Sequence, residues 1–409
     1  MKTEVSEEFV RLCGQVGAFT KNVTGTSIVD AYFGPEEFDP DRAQFDGNVL
    51  FLVGRLSSLV DRVRDEVSDE LRRDYLIGET ESLIVVMRWL SGESMTYSEL
   101  VEGLFGLRPK KFRESVIDEN IAVVEEVFAD FPGSDLREKI RLFSEDGQVT
   151  GESLKQLVEG DLQHRALEVG RMFRDTVFAI MGASVTDNGV TYEAVSGKPW
   201  SGYNWYLGGF RSLNQFNIDR KFNSDTLRGV VYHEYEHHVS NLWREHQYNK
   251  TGALELSIVP LHTGRCVISE GTADTAKEFL GVDDGDPRTR AINALYALRR
   301  MTSINAAIML NQDNRSEEEA VDYMVDRGHR SREAATASLG FITRTTRDGN
   351  PNLWSPYIMT YFIGRTDFVL PTFSRAKEED QLSEFFRTLY LNQYSGSSRT
   401  WRRAFEWLN

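Results

Sequence analysis

Hydrophobic residues recur at a spacing near 3.6 over most of the chain, and the elements this pattern predicts are mainly helices. In the first 175 residues, Leu50, Val53, Leu56, Leu59, Val60 and Val63 share one helical face, and stretches such as FGPEEFDP punctuate the pattern with Gly and Pro. Between 184 and 220 the pattern changes. VTYEAV, YNWYLGGF and SLNQFNI carry aromatic and β-branched residues bounded by Asn-Gly, Gly-Lys-Pro and Gly-Gly, which predicts two or three short strands. After Ser224 helical spacing returns and runs to the end, broken by turn signals at DDGDP, RDGNPN and YSGSS. There is no internal repeat and no low-complexity tract. The expectation is a large, mainly α protein with a cleft and a small antiparallel β element. It divides into an N-terminal helical domain over 1–175 and a second domain over 176–409.

Composition narrows this picture. The 409 residues are 40 % hydrophobic, enough for a sizeable core, and 63 acidic against 47 basic residues leave a net charge of −16. Such a charge repels phosphate backbones and anionic lipid, so nucleic acid and membrane surfaces are not expected partners. The longest apolar runs, VLFLV at 49–53 and LIVVM at 83–87, fall far short of the roughly 20 residues that span a bilayer. Two cysteines, Cys13 and Cys266, offer no disulfide framework. The acidic start MKTEVSEEFVRLCGQVGAF lacks the basic and apolar regions of a secretory signal. A cytoplasmic location is therefore expected. Of the 47 basic residues only 11 are Lys; adaptation to high salt and codon bias toward Arg both account for that skew.

The candidate chemistry is concentrated in VVYHEYEHHVSNLWREHQ, which holds four of the seven histidines. A helix over about 226–246, capped by Ser224 or Asp225, puts His233 and His237 one turn apart on the same face. Two imidazoles so placed converge on one tetrahedral zinc, and Glu234, a quarter-turn round, reaches the water at an open coordination position. With this composition, H-E-x-x-H arises by chance in on the order of 1 % of chains this long. Catalytic zinc needs a third protein ligand. VISEGTADTAKEFLG, a second predicted helix over about 267–280, supplies Glu270 as that ligand. Asp274, one turn later, would accept the second ring N–H of a zinc histidine, His233 first. His238 and His246 are read as packing or exposed residues.

H-E-x-x-H followed by a helix bearing E-x-x-x-D resembles the gluzincin metallopeptidases, and within them the helical domain-of-unknown-function family 885 and the related thermostable metallocarboxypeptidases. DAYFGPEEF, HEYEHH, SEGTAD, INAAIMLNQDNRSEEEAVDYM and PYIMTYFIGRTDFVL carry the resemblance in order along the chain. The chain lacks the Pro-Gly usual in the family 885 zinc helix and the D-x-G-x-x-H histidine, where Asn305 to Leu310 stand instead. It also lacks the G-x-M-E-N and H-P-F signatures, so the scissile bond stays open. The resemblance implies a catalytic domain over 176–409 that binds one Zn2+ and cleaves peptide bonds, with short peptides as substrates. It implies Glu234 as general base and Tyr361, then Tyr357, with His329 behind them, as donor to the oxyanion. Arg365 would meet a substrate carboxylate. The strand in GGFRSLNQF, which contains Asn214, would be the edge that pairs with an extended peptide.

Overall fold

A computed structural model describes residues 4–198, 200–283 and 285–408, and it is mainly helical with small sheets, as the periodicity predicts. Local signals start the helices. Asn48 caps Val49–Glu66 by accepting from the Phe51 N–H, Asp69 caps Glu70–Leu90, and Thr96 with Glu99 forms a reciprocal capping box before Tyr97–Phe105. The buried stripe of Val49–Glu66 is Leu52, Leu56, Leu59, Val60 and Val63, so its first turn differs from the expected face. Leu50 is 85 % exposed and Leu52 takes the inner position.

Packing interleaves distant segments. One core joins Phe9, Leu56, Leu83 and Leu100 to Ile304, Tyr357 and Met359, and a second joins Phe173, Tyr192, Phe216, Val231 and Trp243 to Phe279, Phe386 and Trp401. The boundary expected near 175 falls inside this second core, which already contains Leu154 and Phe173.

The β element forms within 184–220 as Val190–Val195, Gly202–Tyr206 and Ser212–Asn217. Ser212–Asn217 lies in the centre, antiparallel to Gly202–Tyr206 and parallel to Val190–Val195. One pair is parallel because the chain reverses twice between its members. The tight turn of the hairpin is held by Glu245, whose carboxylate accepts from Tyr206 Oη at 2.6 Å, Gly209 N at 2.9 Å and Phe210 N at 3.0 Å. Phe210 sits there at φ 59, a left-handed conformation unusual for a ring residue, and these charge-assisted bonds offset that cost. Glu245 belongs to the long helix Ser224–Thr251, so this grip also fixes the sheet beside the histidine motif.

Candidate metal centre

The motif helix, Ser224–Thr251, begins at Asn223, whose side chain accepts from the N–H groups of Asp225 and Thr226. This places the cap one residue before Ser224 and two before Asp225, the caps expected from sequence. The helix crosses the interior, and Val231, Tyr235, Glu236, His238, Val239, Leu242 and Trp243 are all buried. Its polar buried residues are paired. His238 stands between Ser212 Oγ, 2.9 Å from its Nδ1, and Asp187 Oδ1, 3.0 Å from its Nε2. Glu236 accepts from Ser240 at 2.7 Å, Thr272 at 2.9 Å and Tyr390 at 3.0 Å. These contacts fix the rotation of the helix and leave His233, Glu234 and His237 facing a cleft of about 1730 Å³.

The acid helix, Gly264–Asp274, lies against that face. It comes very close to the segment beginning at Gly364, where a Cβ on Gly364 would stand 2.0 Å from the Val267 carbonyl oxygen and one on Gly271 2.5 Å from the Gly364 carbon. Glycine at both positions permits this approach, which presents Glu270 to the histidines.

His233 Nε2 lies 3.1 Å from His237 Nε2 and 3.5 Å from Glu270 Oε2, and His237 Nε2 lies 3.8 Å from the same oxygen. A circle through these three atoms has a radius of about 2.0 Å, the length of a zinc–nitrogen bond. Among the described residues this is the one group of three such donors able to hold a metal ion. Glu270 Oε2 is buried and accepts no hydrogen bond, while Oε1 accepts from Tyr357 Oη at 2.8 Å. An orphaned carboxylate oxygen facing two imidazole nitrogens is the donor set a zinc ion fits.

The surroundings set the protonation. Asp274 Oδ1 accepts from His233 Nδ1 at 2.9 Å, which leaves the Nε2 lone pair pointing into the cluster. Ser269 Oγ is 3.2 Å from His237 Nδ1. Burial disfavours charge on His233, yet Asp274 and Glu270 hold its pKa well above the ordinary value. His237 is raised by Glu270 against the same burial. Burial likewise opposes ionisation of Glu270, but the two histidines hold it far below the carboxylate range. The pocket thus favours positive charge, supplied by protons or by a cation.

The other expected site residues divide. Glu234 lines the cleft, and Asn204 Nδ2 donates to its Oε2 and to its backbone oxygen, both at 3.2 Å. Tyr361 lines the cleft too, and its hydroxyl makes no hydrogen bond among the described residues. Tyr357 differs from expectation, because its hydroxyl is engaged by Glu270 and is not free for substrate. His329, the donor held behind the two tyrosines, is absent from the cleft lining, and both its ring nitrogens are buried without a hydrogen bond.

Arg365 also differs: its Nη1 and Nη2 bond Glu278 at 2.9 and 2.6 Å, and Nη1 bonds the Asp274 carbonyl at 2.7 Å. The guanidinium is spent on protein. Asn214 is buried on the central strand, whose backbone pairs on both sides, so it cannot form the expected edge. That edge is Gly202–Tyr206, which carries Asn204. Sequence reasoning missed Asn204 and also Tyr296, whose Oη lies 2.9 and 2.8 Å from the two Asp274 oxygens. Neither stands in a motif; their one signal is position, on a strand that precedes the motif helix and on a long helix that follows the acid helix.

No family model and no curated protein matches the chain. Among solved structures it is similar to a candidate lipoprotein from Colwellia psychrerythraea, 14 % identical with a TM-score of 0.54 over 88 % of this chain and 70 % of that one. A candidate lipoprotein of unknown function from Shewanella oneidensis is 12 % identical, with a TM-score of 0.45 over 88 % of this chain and 73 % of that one. The first likeness shows a shared fold. It also corrects the expectation of a cytoplasmic location, since this fold occurs in a protein described as a lipoprotein. No described helix is long and apolar enough to cross a membrane.

Proposed function

We propose that the chain is a zinc-dependent hydrolase of peptide bonds in short peptides, a gluzincin-like metallopeptidase. The observation that carries this reading is the convergence of His233, His237 and Glu270 on one point beside Glu234. Zinc held by these three residues would activate a water molecule and polarise the scissile carbonyl. Glu234, oriented by Asn204, takes a proton from that water and delivers it to the leaving amine. Tyr361 donates its hydroxyl to the developing oxyanion; burial first, then the Glu270 charge, raises its pKa and keeps it protonated. Asp274 and Tyr357 orient His233 and Glu270. The edge strand Gly202–Tyr206 offers its backbone to an extended peptide. The test is cleavage of a pool of short peptides by the zinc-loaded chain, read by mass spectrometry, beside Glu234→Gln. Cleavage lost in the variant while zinc is retained supports the hydrolase. Zinc bound by both with no peptide cleaved contradicts it and leaves a metal-binding protein without turnover.

A further inference from the structure

Arg300 is a cation that the proposed chemistry does not use. It lies one turn beyond Tyr296 on the helix Pro287–Asn311 and lines the same cleft as His233, Glu234 and Glu270. Its guanidinium carbon stands 4.3 Å from the Tyr361 ring centroid and 4.9 Å from that of Tyr296. Two aromatic faces frame it, but no carboxylate pairs with it within 4.0 Å among the described residues. Neighbouring Arg299 and Arg330 also have no carboxylate partner within 4.0 Å among the described residues. Arg299 donates to the His329 carbonyl at 3.2 Å, and Arg330 to the Arg299 carbonyl at 3.2 Å and to Ser303 Oγ at 2.9 Å. Burial first, then the charges of Arg299 and Arg300, lower the pKa of Arg330. In a chain of net charge −16, whose cleft arginines Arg228, Arg288 and Arg365 are each paired with carboxylates, three arginines without a carboxylate within 4.0 Å among the described residues mark a local excess of positive charge. Of the three, Arg300 alone lines the cleft.

We infer that Arg300, framed by Tyr296 and Tyr361, is the receptor for a carboxylate of the substrate. This rests on the hydrolase reading and deepens it by naming the substrate class as peptides that present a carboxylate near the cleaved bond. A planar guanidinium held between two rings offers a bidentate fork at low entropic cost. Through Tyr296 and Asp274 it is also tied to the ring of His233, so substrate anchor and metal ligand share one rigid wall. The carboxylate is either the peptide C-terminus or an acidic side chain, and amidation separates the two.

The test is equilibrium dialysis of zinc-supplied protein in the silent Glu234→Gln background against two tripeptide pools, one with free and one with amidated C-termini. Zinc content is measured on the same samples. The expected result is retention of the free-acid pool about tenfold or more above the amidated pool, reduced to parity by Arg300→Met and partly restored by Arg300→Lys. Retention of only the Asp- and Glu-containing amidated peptides, lost in Arg300→Met, would assign the carboxylate to a side chain. Equal retention of both pools without acidic selection, or selection that survives Arg300→Met, would overturn the inference. Absence of zinc would defeat the hydrolase reading separately, with the dialysis still judging the carboxylate receptor.

Discussion

His233 donates from Nδ1 to Asp274 Oδ1 across 2.9 Å, and the same carboxylate receives the Tyr296 hydroxyl on both oxygens. The acid that closes the E-x-x-x-D motif therefore orients the first imidazole of the pair. Its negative charge also raises that imidazole's affinity for a cation.

Replacing Asp274 with Asn removes the charge and keeps the shape. Zinc affinity is expected to fall roughly 10 to 100-fold, measured by competition with a chromophoric chelator. Unchanged affinity would detach Asp274 from the metal centre.

His238, one residue past His237, is enclosed between Ser212 and Asp187 and faces away from the cluster. His238→Ala should cost about 2 to 4 kcal/mol in urea unfolding, by opening a cavity and stranding two buried polar groups. Its zinc stoichiometry should not change. Loss of zinc without loss of stability would contradict the packing role of His238.

The motif was legible because two histidines four apart on a helix must share a face, and Glu270 with Asp274 share a second face by the same rule. The helices and the strands within 184–220 followed from periodicity and turn residues. What was not legible depends on contacts between distant segments. Arg365 reads as an anion receptor until Glu278 is found beside it, and Asn214 reads as an edge residue until both neighbouring strands are placed. Arg300 carries no sequence signal, because what marks it is its place between two rings with no carboxylate within 4.0 Å among the described residues.

His262 gives a pH dependence separate from the metal centre. Burial against Trp354 and Tyr357 lowers its pKa to about 3 from an ordinary 6.5, and its Nδ1 has no hydrogen-bond partner. The unfolded chain takes up this proton near the ordinary value and the folded chain does not. The stability it contributes is complete above 6.5 and is lost as pH falls toward 3. The loss is on the order of 4 kcal/mol at the acid end. His262→Asn, which removes the titrating group, should flatten the pH dependence of unfolding free energy below 6.5. An identical slope in variant and parent would exclude His262 as the source.

Gly364 and Gly271 seat the acid helix. Gly364→Ala drives a methyl into the Val267 carbonyl and should cost at least about 2 kcal/mol in thermal or urea unfolding. It should also weaken zinc binding by displacing Glu270. Normal stability and affinity would show that the two segments separate freely.

The central claim is that His233, His237 and Glu270 hold one zinc ion. It is tested most directly by mass spectrometric metal analysis of the purified chain, before and after zinc is supplied, beside Glu270→Ala. About one zinc per parent chain and far less in the variant, with folding unchanged by circular dichroism, is the predicted result. No metal in either protein, even with zinc supplied, would contradict the account.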